Sequence, residues 1–153
     1  MRARFGQESD FVFPSGSVSY APGEDLRERA KREIALRKGQ AKFRNSLILA
    51  YGGACAITES TVTAVLEAAH IDRYYGTHTN HVTNGLLLRS DIHTLFDLRQ
   101  LAVSGAFGIL LAPWLRDSEY RTLHRKHLRL PVNIHARPDV GALARHRESC
   151  EWT

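Results

Sequence analysis

Four residues in the middle of the chain are of the types that do acid–base and metal chemistry: His70, Asn84, His93 and Asp97. A neutral imidazole titrates near physiological pH, so it can take a proton from water. Residues four apart share one face of a helix, because four steps turn it by about 400°. An imidazole and a carboxylate at that spacing, as in His93 and Asp97, can therefore bind one ion. Such a set can activate water beside a metal.

Local patterning predicts the elements that must position these side chains. A short apolar run over residues 65–71 carries His70 at its end, and a second run over 86–89 follows Asn84. Both have strand character, and the loop between them is polar and contains a glycine. Residues 91–98 place their apolar side chains at helical spacing. The pattern predicts a strand, a loop, a second strand and a helix, in that order.

The order of His70, Asn84 and His93 resembles the signature of the HNH nucleases, also called the ββα-metal motif. The phrases AAHI, NGLLLR and DIHTLFD resemble the subgroup found in bacterial restriction endonucleases. The core motif covers residues 65–98, and the resemblance extends over roughly residues 43–135. It implies an α+β fold with a ββα-metal (HNH) core and flanking helices.

The resemblance also implies an activity and roles for residues. The family hydrolyses phosphodiester bonds of DNA with a divalent metal, and His70, Asn84 and His93 form its catalytic signature. His70 matches the general base, with a core histidine bonded to backbone as the alternative. His93 matches a metal ligand, and Asp97 stands where relatives often carry a second helical ligand. Asn84 is expected to pin the loop that orients the base, with direct metal ligation as the alternative.

One departure from the family pattern concerns the metal. Many relatives place Asp or His immediately before the base, where this chain has Ala69. Glu67 or Asp91 could compensate directly or through water, although Glu67 could equally be a salt-bridged scaffold residue. One His and one carboxylate with open positions suit Mg²⁺ or Mn²⁺, while Zn²⁺, the alternative, usually takes more nitrogen or sulfur donors.

Polar and aromatic residues of the loop are candidates for DNA contact, with ordinary surface residues as the alternative. They include Arg73, His78 and His81. Arg89, at the end of the second predicted strand, is expected either to contact the scissile phosphate or to form an ion pair with Asp91 or Glu67.

A predicted helix over residues 24–44, with a possible interruption at Gly39, carries eight Lys and Arg against four acidic residues. An apolar stripe follows it up to Gly52. This helix is expected to pack on the core through the stripe, and its cations are either a solvated face or a track for DNA phosphates. The cations proposed for that track are Arg32, Lys38 and Lys42.

Length and composition bound the remaining properties. A chain of 153 residues with 43% hydrophobic residues suits one compact domain. We assign residues 1–23 to a flexible N-terminal arm and residues 24–153 to the nuclease domain. No apolar run approaches the ~20 residues of a membrane span, and no signal core is visible, so a soluble cytoplasmic protein is expected. The net charge of +5 favours a polyanionic partner such as DNA.

Two cysteines, Cys55 and Cys150, are too few for a disulfide framework and are expected to be reduced thiols. Many HNH domains hold a structural zinc with two CxxC pairs, which this chain lacks, so apolar packing must support its scaffold. After the motif, residues 101–111 predict a hairpin, residues 117–127 a short helix and residues 140–148 a final helix.

The chain is expected to cut DNA in restriction or another defence against foreign DNA. The alternative is a non-catalytic nucleic-acid-binding module on the same fold, which Ala69 would allow. Specificity is expected to come from a homodimer or from a separate specificity subunit or domain, or else to be weak.

Overall fold

A computed structural model describes residues 26–153, which form an α+β structure of helices and two small antiparallel sheets. The predicted arm over residues 1–23 lies outside the described residues. The helices are α1 (Leu26–Ala50), α2 (Ser90–Asp97) and α3 (Val140–Glu148). The strands are β1 (Leu66–His70), β2 (Gly85–Arg89), β3 (Leu101–Val103) and β4 (Ile109–Leu111).

The central motif has the predicted order of elements. β1 and β2 pair antiparallel, from Leu66 opposite Arg89 to His70 opposite Gly85. The next residue after β2, Ser90, already begins α2. β2 is buried along most of its length, and both α1 and α2 pack against it. The predicted strand, loop, strand and helix are confirmed.

Helix α1 continues through Gly39, so the predicted interruption at this residue is wrong. A glycine inside a helix costs only about 1 kcal/mol relative to alanine, and the packing of Phe43 and Leu47 in the core outweighs that cost. The first half of the helix is solvated, with Leu26 and Ile34 exposed. The second half alone holds α1 against the sheet.

Two features of the sequence allow α1 to approach the sheet closely. Gly85 faces the helix, and a Cβ placed there would lie 2.6 Å from Cζ of Phe43 and 2.8 Å from Cδ1 of Leu47. Arg44 donates from Nε to the carbonyl of Leu66 at 3.2 Å and from Nη2 to that of Thr63 at 3.0 Å. The helix is therefore fixed at both ends of β1.

The cysteines are buried free thiols, as expected. Sγ of Cys55 accepts backbone N–H groups from Thr58 at 3.3 Å and from Arg89 at 3.2 Å, which joins the turn before the motif to the end of β2. Cys55 is thus a small core residue that also satisfies backbone donors.

The hairpin predicted over residues 101–111 is confirmed as β3 and β4, and α3 covers the predicted residues 140–148. The helix predicted over residues 117–127 is wrong, because only a 3₁₀ turn at Arg121–Leu123 forms there. The backbone that follows bonds to β4 instead: Arg125 donates to the carbonyl of Ile109 at 2.7 Å. Between residues 26 and 153, no helix combines the length and apolar character that a bilayer span demands.

Candidate active site

His70, His93 and Asp97 line one cavity of about 460 Å³ at the junction of β1, α2 and α1. β1 delivers His70 at its last residue, and α2 delivers the other two side chains one turn apart. Arg73 and Arg99 also line this cavity. Three of the four residues predicted to do chemistry therefore line the same cavity, together with two arginines. Asn84 is not among the lining residues.

The imidazole of His70 is held from three sides. Its ring stacks on Phe43 with centroids 4.3 Å apart and meets the edge of Tyr74 at 5.6 Å. Its Nε2 lies 2.8 Å from Oδ1 of Asn80. A carbonyl oxygen can only accept, so Nε2 is the donor in this contact.

A core histidine bonded to backbone does occur in this chain, but it is His146. Its Nε2 donates to the carbonyl of Phe96 at 2.9 Å, and the two rings stack with centroids 3.6 Å apart. Burial lowers the pKa of His146 to about 4, so this imidazole is neutral at physiological pH. His70, in contrast, is half-buried, and its polar partner is the side chain of Asn80.

His93 has a carboxylate at each ring nitrogen. Nδ1 lies 2.6 Å from Oε2 of Glu67 on β1, and Nε2 lies 3.1 Å from Oδ2 of Asp97. A carboxylate that accepts from one imidazole nitrogen fixes the ring and leaves the other nitrogen to a metal ion, an arrangement that recurs behind metal-binding histidines. Glu67 therefore contacts His93 and orients it.

The donor set fits a metal that takes few protein ligands. Among the residues that the structure describes, no three His, Cys, Asp or Glu side chains form a closed metal cage. Ala69 is fully buried in the core, so β1 offers no ligand there. Two ligands of one ion at about 2.1 Å and a right angle are about 3.0 Å apart, close to the 3.1 Å between Nε2 of His93 and Oδ2 of Asp97.

Asn84 joins the two sides of the β1–β2 loop. Its Oδ1 accepts the backbone N–H of Asp72 at 2.9 Å, and its Nδ2 donates to the carbonyl of Thr79 at 3.0 Å. Both ends of the amide are thus occupied by loop backbone. This is the arrangement expected of a residue that pins the loop, and its place in the catalytic set stays a prediction.

Arg89 and Asp91 form an ion pair beside the motif, which is one of the alternatives expected for Arg89. The contact is bidentate, with Nε–Oδ1 at 2.7 Å and Nη2–Oδ2 at 2.8 Å, and Tyr120 donates to the same carboxylate at 2.9 Å. The hydrogen bond from Arg89 lowers the pKa of Asp91 to about 2. Asp91 does not line the cavity, and its possible compensation for Ala69 stays a prediction.

The predicted DNA-contacting residues of the loop separate in space. Arg73 lines the cavity of His70 and also, with His78, a neighbouring cavity of about 550 Å³. His81 is exposed and points elsewhere, toward a groove at the end of α1, with Nδ1 2.8 Å from the hydroxyl of Thr83. Of the loop residues predicted to contact DNA, Arg73 alone lines the cavity of His70.

The predicted cations of α1 are all exposed. They are Arg32, Lys38 and Lys42. Arg32 lines a groove together with Tyr74 and Thr77 of the β1–β2 loop. The basic helix therefore runs beside the loop that borders the cavity.

Sequence reasoning missed two residues of this site, Asn80 and Arg99. Asn80 lies in an irregular loop, where no periodicity relates it to His70. Arg99 follows α2 closely, and a cation two residues after Asp97 was a usable signal for a residue near His93 and Asp97.

Comparisons with known proteins agree with this geometry. Residues 55–104 match a family model described as HNH endonuclease, and this segment contains β1, β2 and α2. A solved structure titled modification dependent TagI restriction endonuclease matches with 17% identity and a TM-score of 0.55. That match covers 72% of this chain but 38% of the TagI chain, and at this identity it shows a shared fold.

A search of curated proteins gave no match. HNH endonucleases generally depend on divalent metals, which agrees with the donor pair on α2. The matched family segment supplies both histidines of the cavity. Residues 55–104 are therefore similar to an HNH endonuclease domain.

Proposed function

We propose that this protein is a divalent-metal-dependent endonuclease that hydrolyses phosphodiester bonds of DNA, with His70 as the general base. The observation that carries the proposal is the meeting of His70, His93 and Asp97 in one cavity. A base, a metal-binding pair and two guanidinium groups are what the attack of water on a phosphodiester requires.

In this proposal His70 takes the proton of the attacking water. The bond from Nε2 to Asn80 leaves the lone pair at Nδ1, where the proton is accepted. Stacking on Phe43 restrains the ring plane, so the base is oriented before DNA arrives. General-base catalysis of this kind contributes typically about 10²–10⁴-fold to the rate.

Nε2 of His93 and the carboxylate of Asp97 would hold the metal. When bound there, a divalent ion would neutralise charge on the phosphate and stabilise the leaving 3′ oxygen. Mg²⁺ and Mn²⁺ are the proposed ions, with Zn²⁺ as the alternative, because the protein offers few ligands and leaves positions for water and phosphate oxygens. Glu67 keeps the His93 ring in place through Nδ1.

Positive charge around the cavity supports a DNA substrate. Arg73 and Arg99 line it, and guanidinium groups bind phosphate oxygens in a bidentate manner. Helix α1 carries eight Lys and Arg against two acidic residues. This charge would attract the DNA backbone at every sequence alike.

The setting we propose is restriction or another defence against foreign DNA, in the cytoplasm. The likeness in fold to TagI, titled a modification dependent restriction endonuclease, supports it. Because this chain spans 38% of the TagI chain, we propose that target recognition comes from a second copy or from a separate specificity subunit or domain.

A plasmid-nicking assay tests the proposal. The protein should convert supercoiled plasmid to open circles with Mg²⁺ or Mn²⁺ and should lose this activity in EDTA. His70→Ala should lower the rate by about 10²-fold or more, whereas His135→Ala, which changes an exposed histidine outside the β1–β2 loop, should cut like wild type. Retarded migration of DNA without cleavage in any metal would instead support the non-catalytic module that Ala69 allows.

A further inference from the structure

We propose that Asn80 is the positioning residue of His70: its amide selects the imidazole tautomer that keeps the lone pair at Nδ1. The consequence for catalysis rests on the proposed role of His70 as the base. The contact itself does not, and it can be tested without any cleavage.

The amide of Asn80 is the polar partner that the structure gives to His70 within residues 26–153. Oδ1 lies 2.8 Å from Nε2, and both residues are half-buried. Stacking on Phe43 restrains the plane of the imidazole but does not distinguish its two nitrogens. The hydrogen bond to Asn80 does distinguish them, because Oδ1 accepts and cannot donate.

The amide is itself held by the fold. Asn80 ends a tight turn in which its backbone N–H donates to the carbonyl of Thr77 at 3.1 Å. The neighbouring carbonyl of Thr79 accepts from Asn84 at 3.0 Å. On the far side, a Cβ at Gly39 of α1 would lie 3.2 Å from Nδ2 of Asn80. The amide therefore sits between the backbone of α1 and the imidazole, with its oxygen toward His70.

The chemistry of an amide suits this task. Asn accepts a hydrogen bond from Nε2–H without adding a charge to a cavity that Arg73, His93, Asp97 and Arg99 already line. When Nδ1 takes a proton from water, the imidazole becomes positive, and the hydrogen bond to Oδ1 becomes charge-assisted and stronger. Asn80 would therefore stabilise the imidazolium that proton transfer forms, and would do so without touching the DNA.

The test combines nitrogen NMR with cleavage kinetics on the full chain. Long-range ¹H–¹⁵N spectra of histidine-labelled protein, without metal and above the pKa of imidazole, should show His70 as the Nε2–H tautomer, with the signal assigned by its loss in His70→Ala. Asn80→Ala should give a mixture of tautomers. Asn80→Asp, which keeps an acceptor, should restore the wild-type tautomer. Asn45→Ala, an exposed asparagine on α1, is the matched control.

In the nicking assay, Asn80→Ala should lower kcat by about 10–100-fold, the range for removing a group that orients a histidine, with KM for DNA little changed. An unchanged tautomer in Asn80→Ala would overturn the proposal whatever the activity, and so would normal kcat in a variant whose tautomer has changed. If the tautomer shifts as expected but wild type cuts no DNA, the positioning contact stands and the proposed nuclease function fails. Should Asn80→Ala not fold, a wild-type tautomer other than Nε2–H would still overturn the proposal.

Discussion

Replacing Gly85 by alanine should disturb both the core and the position of His70. Gly85 lies opposite His70 in the β1–β2 pair. Its missing side chain leaves room for α1, because an added Cβ would lie 2.6 Å from Cζ of Phe43 and within 2.9 Å of both methyl groups of Leu47. Real Cβ atoms essentially never show contacts under 3.0 Å. Something must therefore move.

The size of the effect follows from what can move. Phe43 and Leu47 are fully buried, and overpacking such side chains costs about 1–3 kcal/mol. Three close contacts at once place Gly85→Ala at the upper end of that range. Alanine loses less conformational entropy on folding than glycine does, which stabilises the variant by about 0.5–1 kcal/mol. The net loss of folding free energy is therefore about 2 kcal/mol. At about 2–4 °C per kcal/mol for a chain of this size, the melting temperature should fall by roughly 4–8 °C.

The loss should reach the active site through Phe43, whose ring stacks on His70. Moving this ring from 2.6 Å to an ordinary contact requires a shift of about 1 Å, and a misplacement of that size can lower a rate by about 10²-fold. Cleavage at 25 °C should therefore fall even though the variant is still folded.

Thermal unfolding by circular dichroism and the nicking assay check both parts. Gly105→Ala is the matched control, because a Cβ there meets nothing within 4 Å. The reasoning would be refuted if Gly85→Ala had the melting temperature of the control and cut at the wild-type rate. Neither the close packing of α1 on β2 nor its effect on His70 would then hold.

Three further predictions concern metal, DNA and acid. Asp97→Ala should raise the Mg²⁺ or Mn²⁺ concentration needed for half-maximal cleavage, with rescue at high metal concentration, and Glu67→Gln should raise it less. If a metal titration gave the reverse order, the carboxylate ligand would be Glu67 on β1 rather than Asp97 on α2. Changing three cations of α1 to Gln should reduce the slope of log affinity against log salt concentration by about 0.9 per phosphate contact. An unchanged slope would mean that these cations do not contact DNA phosphates. These cations are Arg32, Lys38 and Lys42. Because Asp91 has a pKa of about 2 in the folded state, below its unfolded value, its ion pair stabilises the fold above about pH 4 and loses this effect as the pH falls toward 2. Asp91→Asn should thus lower the melting temperature more at pH 7 than at pH 2.5, by an amount worth about 1 kcal/mol or less at this part-exposed site, and equal losses at both pH values would contradict the assignment.

The parts of the fold that sequence predicts are those that local patterning specifies. β1, β2, α2 and α3 lie where apolar periodicity places them. The two errors arise from tertiary contacts: core packing carries α1 through Gly39, and pairing with β4 draws residues near Arg125 out of a helix. Neither contact is visible in a window of neighbouring residues.

In the candidate site, too, only the contacts between residues close in sequence could be predicted. His93 and Asp97 share a helical face, so their proximity could be predicted from spacing alone. The contact between Glu67 and His93 joins residues 26 apart, and the one between His70 and Asn80 depends on the path of an irregular loop. Such pairs could not be found from local pattern, because the turns that bring them together have no period.

Several restraints on the β1–β2 loop come from outside the matched family segment. Arg145 of α3 holds Asp72 with two contacts, at 3.2 and 2.6 Å, and the N–H of Asp139 donates to the carbonyl of Thr83 at 2.8 Å. Phe43, before the segment, supports His70. A graft of residues 55–104 into a chimeric nuclease would thus carry the histidines without the restraints that orient them. The smallest portable unit for such engineering extends from Gly39 through α3.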